Sequence, residues 1–278
     1  MKNTKAGKPI FSSIKLILLF VNFCLLIFSS CKKVIDVNLN DSDPKIVIEA
    51  EIFDSSNCTV KLTQSVNFDE PNIFPPITDA IITISDNVGH SEILCQTSPG
   101  LYSSSALMGI PGREYILNVT IGGNSYSATS SMPYPVEIDT IAFESIGAFG
   151  NSTQMANISF LDPAGVKNYY HFIEVVNGNI QTPIFIYEDR FDDGKPISTT
   201  LLNDPGQGGD NSDISSGDTV LVLLQCTDKG VYEYLSTLSQ SGSGMQSSTP
   251  ANPKSNFSNG ALGFFNACSV RKFSIVVP

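Results

Sequence analysis

Residues 45-KIVIEAEIF-53 alternate strictly, with Ile46, Ile48, Ala50 and Ile52 on one side and Lys45, Val47, Glu49 and Glu51 on the other. Successive side chains of a strand leave on opposite faces, so this is a strand with one face in a core and one wetter face. The same period of two continues outward. CTVKLTQSV follows the Asp54-Ser55-Ser56-Asn57 turn, and ITDAIITIS joins HSEILCQ through Asp86-Asn87-Val88-Gly89, residues that suit a hairpin turn. Pro99-Gly100 leads into LYSSSAL, Pro111-Gly112 into REYILNVTI, and Gly122-Gly123-Asn124 into SYSATSSM. About seven short strands with turns every eight to twelve residues is the spacing of an immunoglobulin-like β-sandwich, here over 45–134.

Met132-Pro133-Tyr134-Pro135 interrupts the alternation, since neither proline donates to a ladder, and a domain boundary is expected there. Beyond it, VEIDTIAFESI, MANISFLD, KNYYHFIEVV, TPIFIYEDRF and DTVLVLLQC read as strands, the last apolar enough for both faces to be buried. Gly194 to Asp218 is too rich in Gly and Asp for a core and reads as a loop. In Lys229 to Gln240 the period changes. Val231, Tyr234, Leu235 and Leu238 form one helical stripe capped by Thr227-Asp228 and expected to pack on the sheet. GALGFFNACSVRKFSIVVP closes the chain as one or two strands. The expected fold is all-β: an immunoglobulin-like sandwich, then a second sandwich-like domain over 135–278 with one short helix.

Composition agrees with that class. Charged residues are only 15% of the chain, against 21 Gly and 16 Pro, the balance of a turn-rich β protein. All 27 acidic residues lie after position 30 and four of the 16 basic ones before it, leaving a net charge of −15 beyond that point. Such a surface repels nucleic acid, which is not expected as a partner. The absence of Trp weakens a reading as a carbohydrate module built on a Trp platform.

At the start, Lys2, Lys5, Lys8 and Lys15 precede an apolar run from Leu16 to Phe28. As a helix that run is roughly 20 Å long, short of the roughly 30 Å of hydrocarbon a spanning helix crosses. Basic flank, short apolar core, Ser29-Ser30 and then Cys31 form the pattern of a bacterial lipoprotein signal over 1–30, with Cys31 the lipidated residue. Phe28 stands where Leu is usual, and Cys24 is a poorer candidate because bulky Phe23 precedes it. Residues 31–44, closed by Pro44, read as a tether.

In an exported chain the remaining cysteines have two readings. Strand parity turns Cys58, Cys95 and Cys226 toward cores, and the pairs Cys58 with Cys95 and Cys226 with Cys268 each fall within one expected domain. The alternative is four buried thiols acting as small hydrophobes. Catalytic signatures are missing: His90 and His171 form no HExxH, and no GxSxG, phosphate loop or GxGxxG occurs. Paired carboxylates need no local motif, so an unrecognised hydrolase stands third among the readings. Asp189, Asp192, Asp193 and Gly194 form one acidic turn, and Asp204, Asp210, Asp213 and Asp218 lie in or beside the Gly-rich loop. These oxygens suit calcium, but neither stretch matches an Asp-x-Asp-x-Asp-Gly loop. They are read as solvated loops, with no metal and no cofactor expected.

The order VIDVNL, KIVIEAEI, TDAIITISD, GLYSSSALMGIPGREYILNV, SYSATSSMPYPVEIDTI, FLDPAGVKNYYHF, GDTVLV, VYEYLSTL and NPKSNFSNGALGFFNACS resembles the domain-of-unknown-function 4249 family. The resemblance spans nearly the whole chain after Cys31, and the segment from Asn252-Pro253 through Asn256 to Phe265 is its most specific part. It implies a Bacteroidetes envelope lipoprotein that is an accessory to uptake at the outer membrane; with no catalytic signature in the chain, the expected function is non-enzymatic, through contact with a TonB-dependent receptor. A glycan- or peptide-binding module is the alternative. Lys32 and Lys33 stand where surface-exported lipoproteins of this group carry acids, so the periplasmic face is favoured over the cell surface. Asn256, Phe264 and Phe265 are a candidate partner or ligand surface, or else a tight turn whose Phe264 or Phe265 fills the second core. Asp139-Thr140-Ile141 and Asp218-Thr219-Val220 fit the O-glycosylation pattern of this phylum at Thr140 and Thr219.

Overall fold

Alternation along the first strand has the expected outcome: Ile48, Ala50 and Ile52 are fully buried while Glu49 and Glu51 look outward. The fold comes from a computed structural model, which describes residues 43–67, 70–148, 151–202, 214–242 and 252–278. Residues 43–134 contribute β1 (Ile46–Phe53), β2 (Asn57–Gln64), β3 (Ile81–Asp86), β4 (Ser91–Ile93), β5 (Cys95–Ser98), β6 (Leu101–Met108), β7 (Glu114–Ile121) and β8 (Asn124–Ser131). The rest contributes β9 (Ile138–Ala148), β10 (Asn151–Leu161), β11 (Tyr169–Val176), β12 (Asn179–Ile180), β13 (Phe185–Glu188), β14 (Pro196–Thr200), β15 (Thr219–Thr227), helix α1 (Lys229–Gly242) and β16 (Leu262–Val276). The protein is thus all-β with one short helix among the described residues, and none of them forms a helix long and apolar enough to cross a membrane.

One large sheet runs β12-β11-β15-β16-β1-β2-β6-β5, with β13 also paired to β11. A sheet β4-β3-β7-β8 faces its β1 end, and a sheet β14-β10-β9 faces its β15 end. Two sandwiches therefore share a sheet. The first core gathers Ile48, Leu62, Ile84, Tyr115 and Leu117; the second gathers Ile158, Phe160, Phe172, Val222 and Leu224. The sequence division at 134/135 lies between Met132 in one core and Val136 in the other. It also assigns Phe257, Ala261, Phe265 and Ala267 to the second half, whereas the structure packs them in the first core. The reason is β16, which pairs parallel with β1 (Ile48↔Gly263, Ala50↔Phe265) and antiparallel with β15 (Cys226↔Ser269, Leu224↔Arg271). Residues 42–278 accordingly form one compact unit.

One local expectation is corrected. The 194–218 stretch is not all loop: β14 pairs with β10, and Ile197 and Leu201 enter the second core. Its Pro196 is tolerated because β14 is an edge strand. The closing segment is a single strand of 15 residues.

Candidate functional site

Where the two sandwiches meet, a cleft of about 540 Å³ opens between the β6–β7 turn, the 131–134 linker, the 163–169 loop and the start of α1. The Pro-Tyr-Pro segment makes its lip. Tyr134 is 71% exposed and lies across Gly112, where a Cβ would stand 2.7 Å from the tyrosine hydroxyl. Gly112 also has φ +85°, so it supplies both the turn and the bed for the ring. Gly112 N–H donates to Met132 O (2.8 Å) and Met132 N–H to Arg113 O (2.9 Å), which fixes the linker against the first sandwich.

Asp228 ties the opposite wall. Its Oδ1 accepts the Val231 N–H (2.9 Å) as the helix cap, and its Oδ2 accepts Ser130 Oγ–H (2.7 Å) and Ser131 N–H (3.0 Å) from β8. The cations around the cleft are paired. Arg113 Nη1 is 2.7 Å from Asp86, Lys167 Nζ is 2.6 Å from Glu188, and Lys229 Nζ is 3.5 Å from Glu233. Lys167 also lies 5.5 Å from the centre of the Tyr169 ring, which stacks on Tyr232. Aromatic faces beside compensated charges suit a neutral or zwitterionic polar partner, not a strongly ionic one.

The candidate sequence residues are scattered. Cys31 lies outside the described residues, as do Asp204, Asp210 and Asp213. All four described cysteines are free thiols. Cys226 pairs with Ser269, so Cys268 leaves β16 on the opposite face. Cys95 and Thr59 both oppose Ser103, which turns Cys95 outward while Cys58 points into the first core. The register therefore holds apart both pairs expected to bridge, and Cys95 is exposed where parity had suggested a core. Burial pushes the Cys58 thiol up to about 12 and that of Cys226 to about 11, so both behave as inert hydrophobes.

The Asn256 to Phe265 segment serves the fold. Asn256 Nδ2–H donates to Phe265 O (2.8 Å) and Asn256 Oδ1 accepts Phe265 N–H (2.9 Å), a side chain standing in for a neighbouring strand. Phe265 is fully buried in the first core, and Phe264 stacks on Tyr234 of α1 with ring centres 4.8 Å apart. Thr140 and Thr219 are both exposed near strand starts. His90 Nδ1 sits 2.8 Å from Asp86 Oδ2, the oxygen Arg113 also holds. His171 bonds Gln225 Oε1 at 2.9 Å, and burial lowers its pKa, which keeps it neutral.

The acidic turn has partners that its sequence does not show. Asp189 and Asp193 meet Asp162, from the turn after β10, with oxygens within 4.8 Å of one another. Asp162 and Asn168, across from that turn, carried no sequence signal beyond Asp-Pro-Ala-Gly.

Double sandwich, shared sheet and junction cleft define a class: an all-β protein with a cleft where its two sandwiches meet. The chain belongs to the family described as domain of unknown function (DUF4249), whose model matches residues 32–274. No curated protein matches it.

Proposed function

We propose that the chain is a lipid-anchored, non-enzymatic envelope protein that works by binding, as an accessory to a TonB-dependent uptake system of the Bacteroidetes outer membrane. The observation that carries this reading is Cys31 behind its basic and apolar leader, with the family match starting at the next residue, Lys32. Acyl chains contribute about 0.8 kcal/mol of membrane binding per buried CH₂, so two or more chains on Cys31 hold the protein at a bilayer without a spanning helix. The tether over 31–44 sets the first sandwich off the membrane, and the junction cleft is the seat offered to a receptor loop. The acidic surface favours such a protein contact over anionic head groups. Periplasmic placement and glycans on Thr140 and Thr219, both exposed, belong to the same reading.

Tyr134 favours a second reading, a glycan- or peptide-binding module. An exposed ring braced from behind is a stacking platform for a sugar or a peptide group. One experiment separates the two. Native membranes carrying tagged protein are labelled with a palmitate analogue, solubilised and purified. A label lost in Cys31→Ala together with co-purifying receptor supports the accessory. Glycan-array binding lost in Tyr134→Ala without any receptor supports the module. An unlabelled protein that still carries residues 1–30 overturns the anchor.

A further inference from the structure

The loop 162–168, which forms one wall of the cleft, meets the turn 189–194 through three carboxylates. Asp162 and Asp189 are 2% and 3% exposed, and Asp193 reaches solvent. Each is oriented by the chain around it. Asp162 Oδ1 accepts the Tyr170 hydroxyl and its Oδ2 the Gly194 N–H (2.9 Å); Asp189 Oδ2 accepts Asn168 N–H (2.9 Å); Asp193 Oδ1 accepts Gly165 N–H (2.7 Å). Among the described residues no Lys or Arg pairs with any of the three. Lys167 is taken by Glu188, and Lys195 sits 3.9 Å from Asp192. Carboxylates this close leave the fold with uncompensated charge.

A separate feature points to what compensates it. Asn168 is 6% exposed, and its Oδ1 is buried and accepts no hydrogen bond. Its direction follows from the ladder. Tyr169 opposes Glu188 and Tyr170 opposes Tyr187, and Asp189 N–H donates to Asn168 O (3.3 Å), so Asn168 stands across from Asp189. Paired residues share a face and positions two apart share it too. The Asn168 side chain thus leaves on the face of Asp189 and of Tyr170, whose hydroxyl reaches Asp162. By that register the buried Asn168 side chain lies on the face where the three carboxylates meet.

We propose that Asp162, Asp189, Asp193 and Asn168 Oδ1 form a calcium site. Calcium takes six to eight oxygens at about 2.4 Å, so two of its ligands stand at most about 4.8 Å apart. The three carboxylates keep within that span. Magnesium, at about 2.1 Å with near-ideal octahedral geometry, draws ligands closer and keeps its water; softer metals prefer nitrogen and sulfur. Water completes the shell on the open Asp193 side. The ion reduces three negative charges to one and pins loop 162–168 to the 189–194 turn. That loop carries Pro163, Val166 and Lys167 into the cleft, so the ion sets the shape of one cleft wall. The site stands whether or not the cleft seats a receptor.

The test uses the full chain in detergent, stripped with EDTA and titrated with calcium chloride by calorimetry and by melting temperature. Saturating calcium is expected to raise the melting temperature by about 5 °C, and magnesium by clearly less. Asp193→Asn, at a solvent-facing position, weakens calcium binding about ten-fold or more, since affinity follows ligand charge. Asp192→Asn, whose carboxylate accepts the Tyr187 hydroxyl at 2.5 Å, leaves it unchanged. Absence of both heat and melting shift in the native protein overturns the site, as does wild-type affinity in Asp193→Asn.

Discussion

Among the described residues, Glu92 gathers polar contacts from three consecutive residues of β6. Its Oε1 accepts the Ser105 N–H (2.5 Å) and hydroxyl (2.8 Å), and its Oε2 the N–H groups of Ala106 (3.1 Å) and Leu107 (2.6 Å). One carboxylate on β4 thereby clasps consecutive amides of β6, joining the two sheets of the first sandwich at their rim. Burial works to raise its pKa, but the donors outweigh it and hold the carboxyl at about 2. Asp86, which is buried, is also held at about 2, by the His90 and Val88 N–H groups and the His90 ring. A depressed folded pKa adds stability above the unfolded value of roughly 4, and that stability disappears as pH falls through the folded value. Melting curves should be flat from pH 6 to about pH 4.5 and then drop steeply toward pH 2. Glu92→Gln should start lower at pH 6 and drop less steeply. An equal acid slope in the variant and the native protein would assign the loss to other groups. Nothing near Glu92 in the sequence announces this role, because its donors come from a strand beyond an intervening turn.

At the scale of elements, α1 was the most legible part of the second half. Its 3.6-residue stripe buries Val231 and Leu235 against the outer face of the large sheet, and Asp228 caps it. The sequence shows only the cap; it does not show that the same carboxylate reaches Ser130 and Ser131, about a hundred positions earlier. Asp228→Ala removes both roles. The cap alone is worth about 1–2 kcal/mol, so the melting temperature should fall by roughly 3–6 °C. Asp228→Asn keeps an acceptor for the helix and should fall less, which a pair of thermal melts would check; equal losses would mean that the cap contributes little. Period-two strands were similarly legible because their signal is local. β14 was not, since a short edge strand beginning at Pro196 and flanked by Gly-rich sequence carries almost no alternation. The calcium ligands were only half legible: the 189–194 turn looks acidic, but Asp162 and Asn168 join it through ladder register, which spacing along the chain does not encode.

At the scale of the whole molecule, the parallel pairing of β1 with β16 links positions more than two hundred residues apart and makes two sandwiches share a sheet. Such a contact leaves no periodicity to read, which is why a boundary at two prolines looked sufficient. Gly263 is the fulcrum of that pairing. With φ +93° and a would-be Cβ 2.0 Å from Ile48 O, only glycine lets β16 lie this close to β1. Because β16 supplies Phe265 and Ala267 to the first core and lies beside Val222 and Leu224 in the second, loss of either core removes a sheet neighbour from the other. Unfolding should therefore be a single calorimetric transition, with equal van't Hoff and calorimetric enthalpies. Ile52→Ala in the first core and Leu224→Ala in the second each leave a cavity costing about 2–5 kcal/mol, and both should shift that one transition downward. Two resolved peaks, with each variant moving only one of them, would show instead that the shared strand does not couple the cores. Gly263→Ala sharpens the test, because a strained seam should either lower the whole transition or, if the halves were independent, broaden only the first.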